Sequence, residues 1–248
     1  MAADMAADMA TAHPPGSSSK GTYLIVGASR GLGAAVAAHL APRVDRLFTA
    51  SRTPAAQGTW IQADVATDEG LDALQAALGE DPLDGLLFLG GTWEKGAFTK
   101  DYDFARSPRA ETRAVIAVNL IAPILLTQGL ADNLALAPNP RVVFIGALSG
   151  LDNAATVEVA NTASKFGLRG AAQALALALR PRGIGVTVVN PGNLATPEVL
   201  EDIAGGAFGA QVPIPLEDLL RTLDYLLSLS ADAVPQDINL MQKQPDSA

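Results

Sequence analysis

The stretch Gly27-Ala28-Ser29-Arg30-Gly31-Leu32-Gly33 follows the apolar run TYLIVGA and opens a segment of helical composition. Glycines at this spacing permit a tight turn and let the backbone approach a bulky anion. A helix starting there aims free N–H groups and the positive end of its dipole at the same point. The chemistry on offer is pyrophosphate binding, with Gly27, Ser29, Arg30, Gly31, Leu32 and Gly33 as the cradle. Other residues bear on which dinucleotide is held. Where such folds read the adenosine ribose, after the second strand, a carboxylate selects a free 2′-hydroxyl and an arginine accommodates a 2′-phosphate. This chain has Ser51-Arg52 there and no acid, and Arg30 stands in the glycine loop. Two guanidinium groups make a charge-assisted clamp on one phosphate. The expected cofactor is therefore NADPH (NADP).

The hydrophobic pattern supplies the scaffold these residues need. Short apolar runs at 22–28, 46–51, 59–65, 84–91, 141–147, 184–191 and 237–241 read as strands. They alternate with helical patterns at 31–42, 68–79, 110–137, 155–180 and 215–229, the third of them expected to bend at Pro123. Such alternation yields βαβ units, right-handed crossovers and a parallel sheet covered on both faces. The expected fold is α/β: a single-domain, Rossmann-type doubly wound parallel sheet of about seven strands. That domain runs over 21–248, while residues 1–20, with their MAADMAAD repeat, read as a disordered N-terminal extension.

Composition removes several classes of function. The 248 residues include no cysteine and two histidines, His13 and His39, the latter inside a predicted helix. A disulfide framework, a thiol nucleophile, a zinc site and a Ser-His-Asp triad are all disfavoured, and no metal is expected. A net charge of -9 repels nucleic acid and anionic membranes. The start of the chain lacks a leader pattern, and no apolar run approaches the roughly 20 residues that span a bilayer. A cytoplasmic protein acting on a small molecule is expected. The 155–180 helix is apolar around most of its circumference through Ala171, Ala172, Ala174, Leu175, Leu177 and Leu179. One sheet covers only one side of it, so a homodimer or homotetramer is expected.

The spacing G-x-x-x-G-x-G, together with a series of motifs downstream, resembles the short-chain dehydrogenase/reductase superfamily over residues 22–241. Asp64-Val65 is similar to the family's adenine-contacting Asp after the third strand. Gly90 and Gly91 keep the room for a cofactor, although Phe88-Leu89-Gly90-Gly91 stands in place of N-N-A-G. Asn119 resembles the Asn of the long helix, and Thr162-Ala163-Ser164-Lys165 the end of Y-x-A-S-K. Pro191-Gly192-Asn193-Leu194-Ala195-Thr196 resembles the P-G-x-x-x-T that cradles a nicotinamide, which puts Pro191, Gly192, Leu194 and Thr196 at the cofactor. The resemblance implies a Lys165 that holds the ribose, and carbonyl/alcohol redox chemistry supported by Tyr, Ser, Lys and Asn.

Two members of that set are altered. Asn161 stands four residues before Lys165, where the family has its tyrosine. A phenol near pKa 10 can be lowered by a neighbouring cation, whereas a carboxamide donates a hydrogen bond and cannot complete proton transfer. At the family's Ser, a match through Ile145-Gly146 gives Ala147, counting back from Asn161 gives Leu148, and Ser149 lies close enough to take the role after a local shift. Lys165, Asn119, Asn161 and Ser149 are thus the candidate catalytic residues. One consistent chemistry is reduction of iminium ions or activated alkenes, with Asp152 or Glu158 facing a substrate cation and Tyr102 a conceivable replacement acid. A non-redox lyase, cyclase or isomerase on the same scaffold, or a catalytically silent NADPH-binding protein, fits as well. Residues 92–109 and 194–214, with Trp93, Phe98, Phe104, Leu200 and Phe208, are expected to line a largely apolar substrate pocket.

Overall fold

The computed structural model describes residues 20–206 and 211–243. The N-terminal segment 1–19 and Phe208 lie outside these described residues. Seven parallel strands form one sheet in the order β3-β2-β1-β4-β5-β6-β7. They are β1 (Thr22–Val26), β2 (Arg46–Ser51), β3 (Thr59–Gln62), β4 (Gly85–Phe88), β5 (Arg141–Ile145), β6 (Gly185–Pro191) and β7 (Asp237–Leu240). The helices are α1 (Gly31–Leu40), α2 (Asp68–Leu78), α3 (Arg109–Ile116), α4 (Ala122–Gly129), α5 (Ala131–Ala135), α6 (Val159–Leu179), α7 (Pro197–Ala204) and α8 (Leu216–Ser228). The expected doubly wound α/β sheet of seven strands is the one observed.

Alternation along each strand divides the apolar residues between two layers. Leu24, Val26, Phe88, Val142 and Phe144 pack with Leu71 and Leu74 of α2, Leu126 of α4 and Leu168 and Ala172 of α6. Tyr23, Ile25, Leu87 and Val143 pack with Val36 and Leu40 of α1 and Leu219, Leu223 and Leu226 of α8. His39 ties these two last helices through Asp224, its Nε2 2.8 Å from Oδ1. The winding reverses between β1 and β4, which are paired in register from Tyr23↔Gly85 to Val26↔Phe88. Ligands of open α/β sheets bind in the crevice beyond the carboxyl ends of such strands.

The structure corrects several element bounds. The stretch 110–137 is three helices, with a π-turn at Ala117–Ile121 joining α3 to α4 and a break at Leu130 between α4 and α5. Pro123 is the physical reason for the π-turn: with no N–H, it cannot bond the Asn119 carbonyl four residues earlier. Residues 155–158 are not helical, and α6 starts at Val159. β3 and β4 end at Gln62 and Phe88, three residues short of the expected bounds. α7 falls in the stretch 194–214 expected to line the substrate pocket, for which no helix was expected. The expectation that no run approaches bilayer length is also corrected. Arg109–Gly129 spans 21 residues, and an 18-residue window of it has mean hydropathy 1.4, long and apolar enough by length and composition to cross a membrane. Here it packs on α6 and buries Val115, Ala122 and Leu126.

Candidate active site

The glycine loop joins β1 to α1 at the winding reversal. Gly27 has φ +88°, and a Cβ there would lie 2.6 Å from Gly90 Cα. A Cβ on Gly33 would collide with the Gly27 carbonyl, so the helix start, the loop and the end of β4 touch backbone to backbone. Arg30 is the N-cap of α1 and makes no side-chain bond to it, and the first turn holds no acid. The leading N–H groups therefore lack a side-chain cap and favour an anion. Ser29 and Leu32 are half-buried beside them, and Arg30 is exposed. This cradle, closed to any Cβ and left uncapped, fits a dinucleotide pyrophosphate.

Beyond β2 and β3 lies an open cleft of about 320 Å³ lined by Arg52, Gln62, Asp64, Thr67 and Glu69. Arg52 and Asp64 thus meet in one place, as their sequence positions imply. Arg52 is exposed and, among the described residues, forms no ion pair. Asp64 uses Oδ1 to accept the Ala66 N–H at 3.0 Å, and Val65 is half-buried next to it. The Ser51 hydroxyl is already engaged: it donates to the Thr53 carbonyl at 2.7 Å and accepts the Trp60 indole N–H at 3.2 Å. Ser51 is not among the residues that line the cleft, and its hydroxyl is turned to the protein.

Lys165 lies on α6, and its Nζ donates to the Ile145 carbonyl at 2.9 Å. Burial pushes the ammonium down to about 8, because a charge away from water is disfavoured. A Cβ on Gly91 would stand 3.8 Å from that Nζ and 3.7 Å from Asn119 Oδ1, which places Gly91, Lys165 and Asn119 together. The Asn119 carboxamide is fully used. It accepts Thr92 N–H at 2.9 Å, and donates to the Thr92 carbonyl at 2.7 Å and to Ser164 Oγ at 3.1 Å. Its side chain therefore fixes the segment leaving β4 against α6. Asn161, one turn before Lys165, is buried, and among the described residues its carboxamide makes no hydrogen bond. Ser149 is buried in a 3₁₀ turn over Leu148–Gly150, again with no hydrogen bond from its hydroxyl among the described residues. A Cβ on Gly150 would lie 2.8 Å from the Lys165 carbonyl, so this turn rests on α6 at the lysine.

The other candidates divide by position. Pro191 ends β6, and the Gly192 N–H donates to the Leu240 carbonyl at 2.8 Å. Leu194 is buried, and Thr196 caps α7 by accepting the Val199 N–H at 3.3 Å. Trp93 and Phe98 form an edge-on pair with centroids 6.0 Å apart. Trp93, Phe104 and Leu200 are exposed. Asp152 faces outward to Arg169 at 3.4 Å.

Glu94 is the functional-site residue that sequence reasoning missed. It is 2% exposed, and its Oε1 accepts the N–H groups of Ala160 at 2.7 Å and Asn161 at 3.2 Å. Glu158, also buried, reaches back to accept the Phe98 N–H at 2.8 Å. Two carboxylates thus exchange backbone bonds across the gap, and Glu94 caps α6 in place of its own N-cap residue. Tyr102 joins them, its hydroxyl accepting the Val159 N–H at 3.2 Å. Burial, with the Glu94 and Glu158 charges, raises the phenol above its ordinary value. It stays protonated, as a donor held by the helix start. No sequence period marks Glu94; only the approach of the β4 exit to α6 gives it a role.

The family model described as short chain dehydrogenase matches residues 22–203, and the chain belongs to that family. It is 30% identical over 147 residues to nodulation protein G of Azospirillum brasilense, a match covering 57% of each chain. It is 30% identical over 207 residues to the 3-oxoacyl-(acyl-carrier-protein) reductase of Escherichia coli, covering 77% of this chain and 81% of that one. Among solved structures, ElxO with NADP bound superposes with a TM-score of 0.75 at 16% identity, covering 89% of this chain and 96% of that one.

Proposed function

We propose that the protein is an NADPH-dependent reductase that handles a small, largely apolar substrate at a site where Asn161 replaces the tyrosine. The observation that carries this reading is the pairing of an uncapped, Cβ-intolerant glycine cradle with a buried Lys165 whose ammonium has no acidic partner among the described residues. A buried, unpaired ammonium is costly unless a ligand engages it. Ribose hydroxyls are such partners, and Gly27, Gly31 and Gly33 would hold the pyrophosphate. Arg52, and Arg30 at the head of α1, would take a 2′-phosphate. NADPH, when bound, supplies a hydride.

The proton side belongs to this chain. Reduction of a ketone leaves an alkoxide that must be protonated. Asn161 can orient and polarise a carbonyl through one N–H but has no proton to release. An iminium carbon that receives a hydride becomes a neutral amine with no further proton needed. The site is therefore matched to iminium ions, and to imines once solvent has protonated them; an activated alkene would take its proton on carbon from solvent after the hydride. A dimer or tetramer in the cytoplasm completes the reading.

Calorimetry with NADPH and NADH tests it. NADPH should bind at least tenfold more tightly, about 1.4 kcal/mol, and Arg52→Asp should reverse the order. Equal affinities, or a preference for NADH, would reject the arginine assignment.

A further inference from the structure

The head of α1 is not bare of negative charge. A methyl group placed on Gly31 would sit 3.1 Å from Glu198 Oε2 and 3.4 Å from Oε1. Gly31 has φ +52° and is the first residue of α1, so the Glu198 carboxylate lies over the cradle that fits the pyrophosphate. Its own helix explains only part of this position. Glu198 is in the first turn of α7, where an acid is favoured, but Thr196 already caps that end. Among the described residues Glu198 has no cationic partner. It faces an N-terminus with no side-chain cap and no acid in its first turn, which attracts an anion. α7 is held loosely, since none of its eight residues is buried. An element with few buried contacts shifts at low cost.

We propose that Glu198 is a built-in competitor of the cofactor, resting its carboxylate on the glycine loop and leaving, with α7, when the pyrophosphate arrives. The proposal rests on the dinucleotide reading of this loop and adds a regulatory part to it. A pyrophosphate and a carboxylate cannot share one helix head without repulsion between like charges a few ångströms apart.

The experiment is a titration of the full chain with NADPH, followed by the cofactor's fluorescence and by calorimetry. It compares wild type with Glu198→Gln, Glu198→Ala and Glu201→Gln. Glu201 is an exposed acid on the same helix and serves as the control for total charge. Both Glu198 variants should bind NADPH about tenfold more tightly, equivalent to about 1.4 kcal/mol, and Glu201→Gln should match wild type. Unchanged or weaker binding by the Glu198 variants overturns the competitor role while leaving the cofactor site standing. Equal tightening by Glu201→Gln overturns it too, because the effect would then be one of net charge. Absence of NADPH binding in every variant removes the cofactor reading itself, and this inference with it.

Discussion

Lys165 shows how one side chain reports on the state of its site. Its ammonium is buried and lowered to about 8 from an ordinary 10.5. Without cofactor this costs the folded state about 3 kcal/mol. Below pH 8 folded and unfolded chains both carry the proton, and the penalty is complete. Between pH 8 and 10.5 the folded chain has lost the proton while the unfolded chain keeps it, so stability rises with pH. Lys165→Met, which keeps the stem and removes the charge, should be more stable than wild type near pH 7. That advantage should shrink through the same window. Urea denaturation at a series of pH values measures it, and a constant difference would mean the ammonium is solvated. The lysine, Asn161 and the glycine trio were legible in the sequence because each sits at a fixed offset within a motif. The fully committed carboxamide of Asn119 and the engaged hydroxyl of Ser51 were not, since each depends on neighbours outside its own motif.

Among the elements, α6 is set by a partner outside itself. Its second and third N–H groups, at Ala160 and Asn161, end on Glu94, 66 residues away for Ala160. Glu94→Ala leaves two buried donors without an acceptor and should cost roughly 1–2 kcal/mol of stability, read as a lower denaturant midpoint. Activity should fall further than stability, because Asn161 is in that turn. A loss confined to surface-mutation size would show that α6 starts without help. The strands and the long helices were readable from period and length. The π-turn was not, because a 3.6-residue pattern passes through Pro123 without marking where the missing N–H is absorbed. α7 carried a signal, Thr196-Pro197 at its head, but eight residues between two loops give a weak period.

At the scale of the molecule, α6 and α4 present an apolar face away from the sheet. Val159, Phe166 and Leu177 on α6 are exposed, as are Ile121 of the π-turn and Leu125 of α4. Positions 7 and 11 residues apart share one face of a helix, so the three on α6 form a stripe that a second copy can cover. Wild type should be a dimer or larger by light scattering at micromolar concentration, and Leu177→Glu should shift it toward monomer. A monomeric wild type would contradict the stripe's assignment. The measurement that bears most directly on function is NADPH oxidation against matched ketone and imine panels, by wild type and Asn161→Tyr. General acid catalysis contributes on the order of 10²- to 10⁴-fold. Wild type should therefore turn over imines well and ketones poorly, and Asn161→Tyr should raise ketone reduction by at least about tenfold if it recovers part of that factor. Efficient ketone reduction by the unaltered protein would contradict the role given to Asn161.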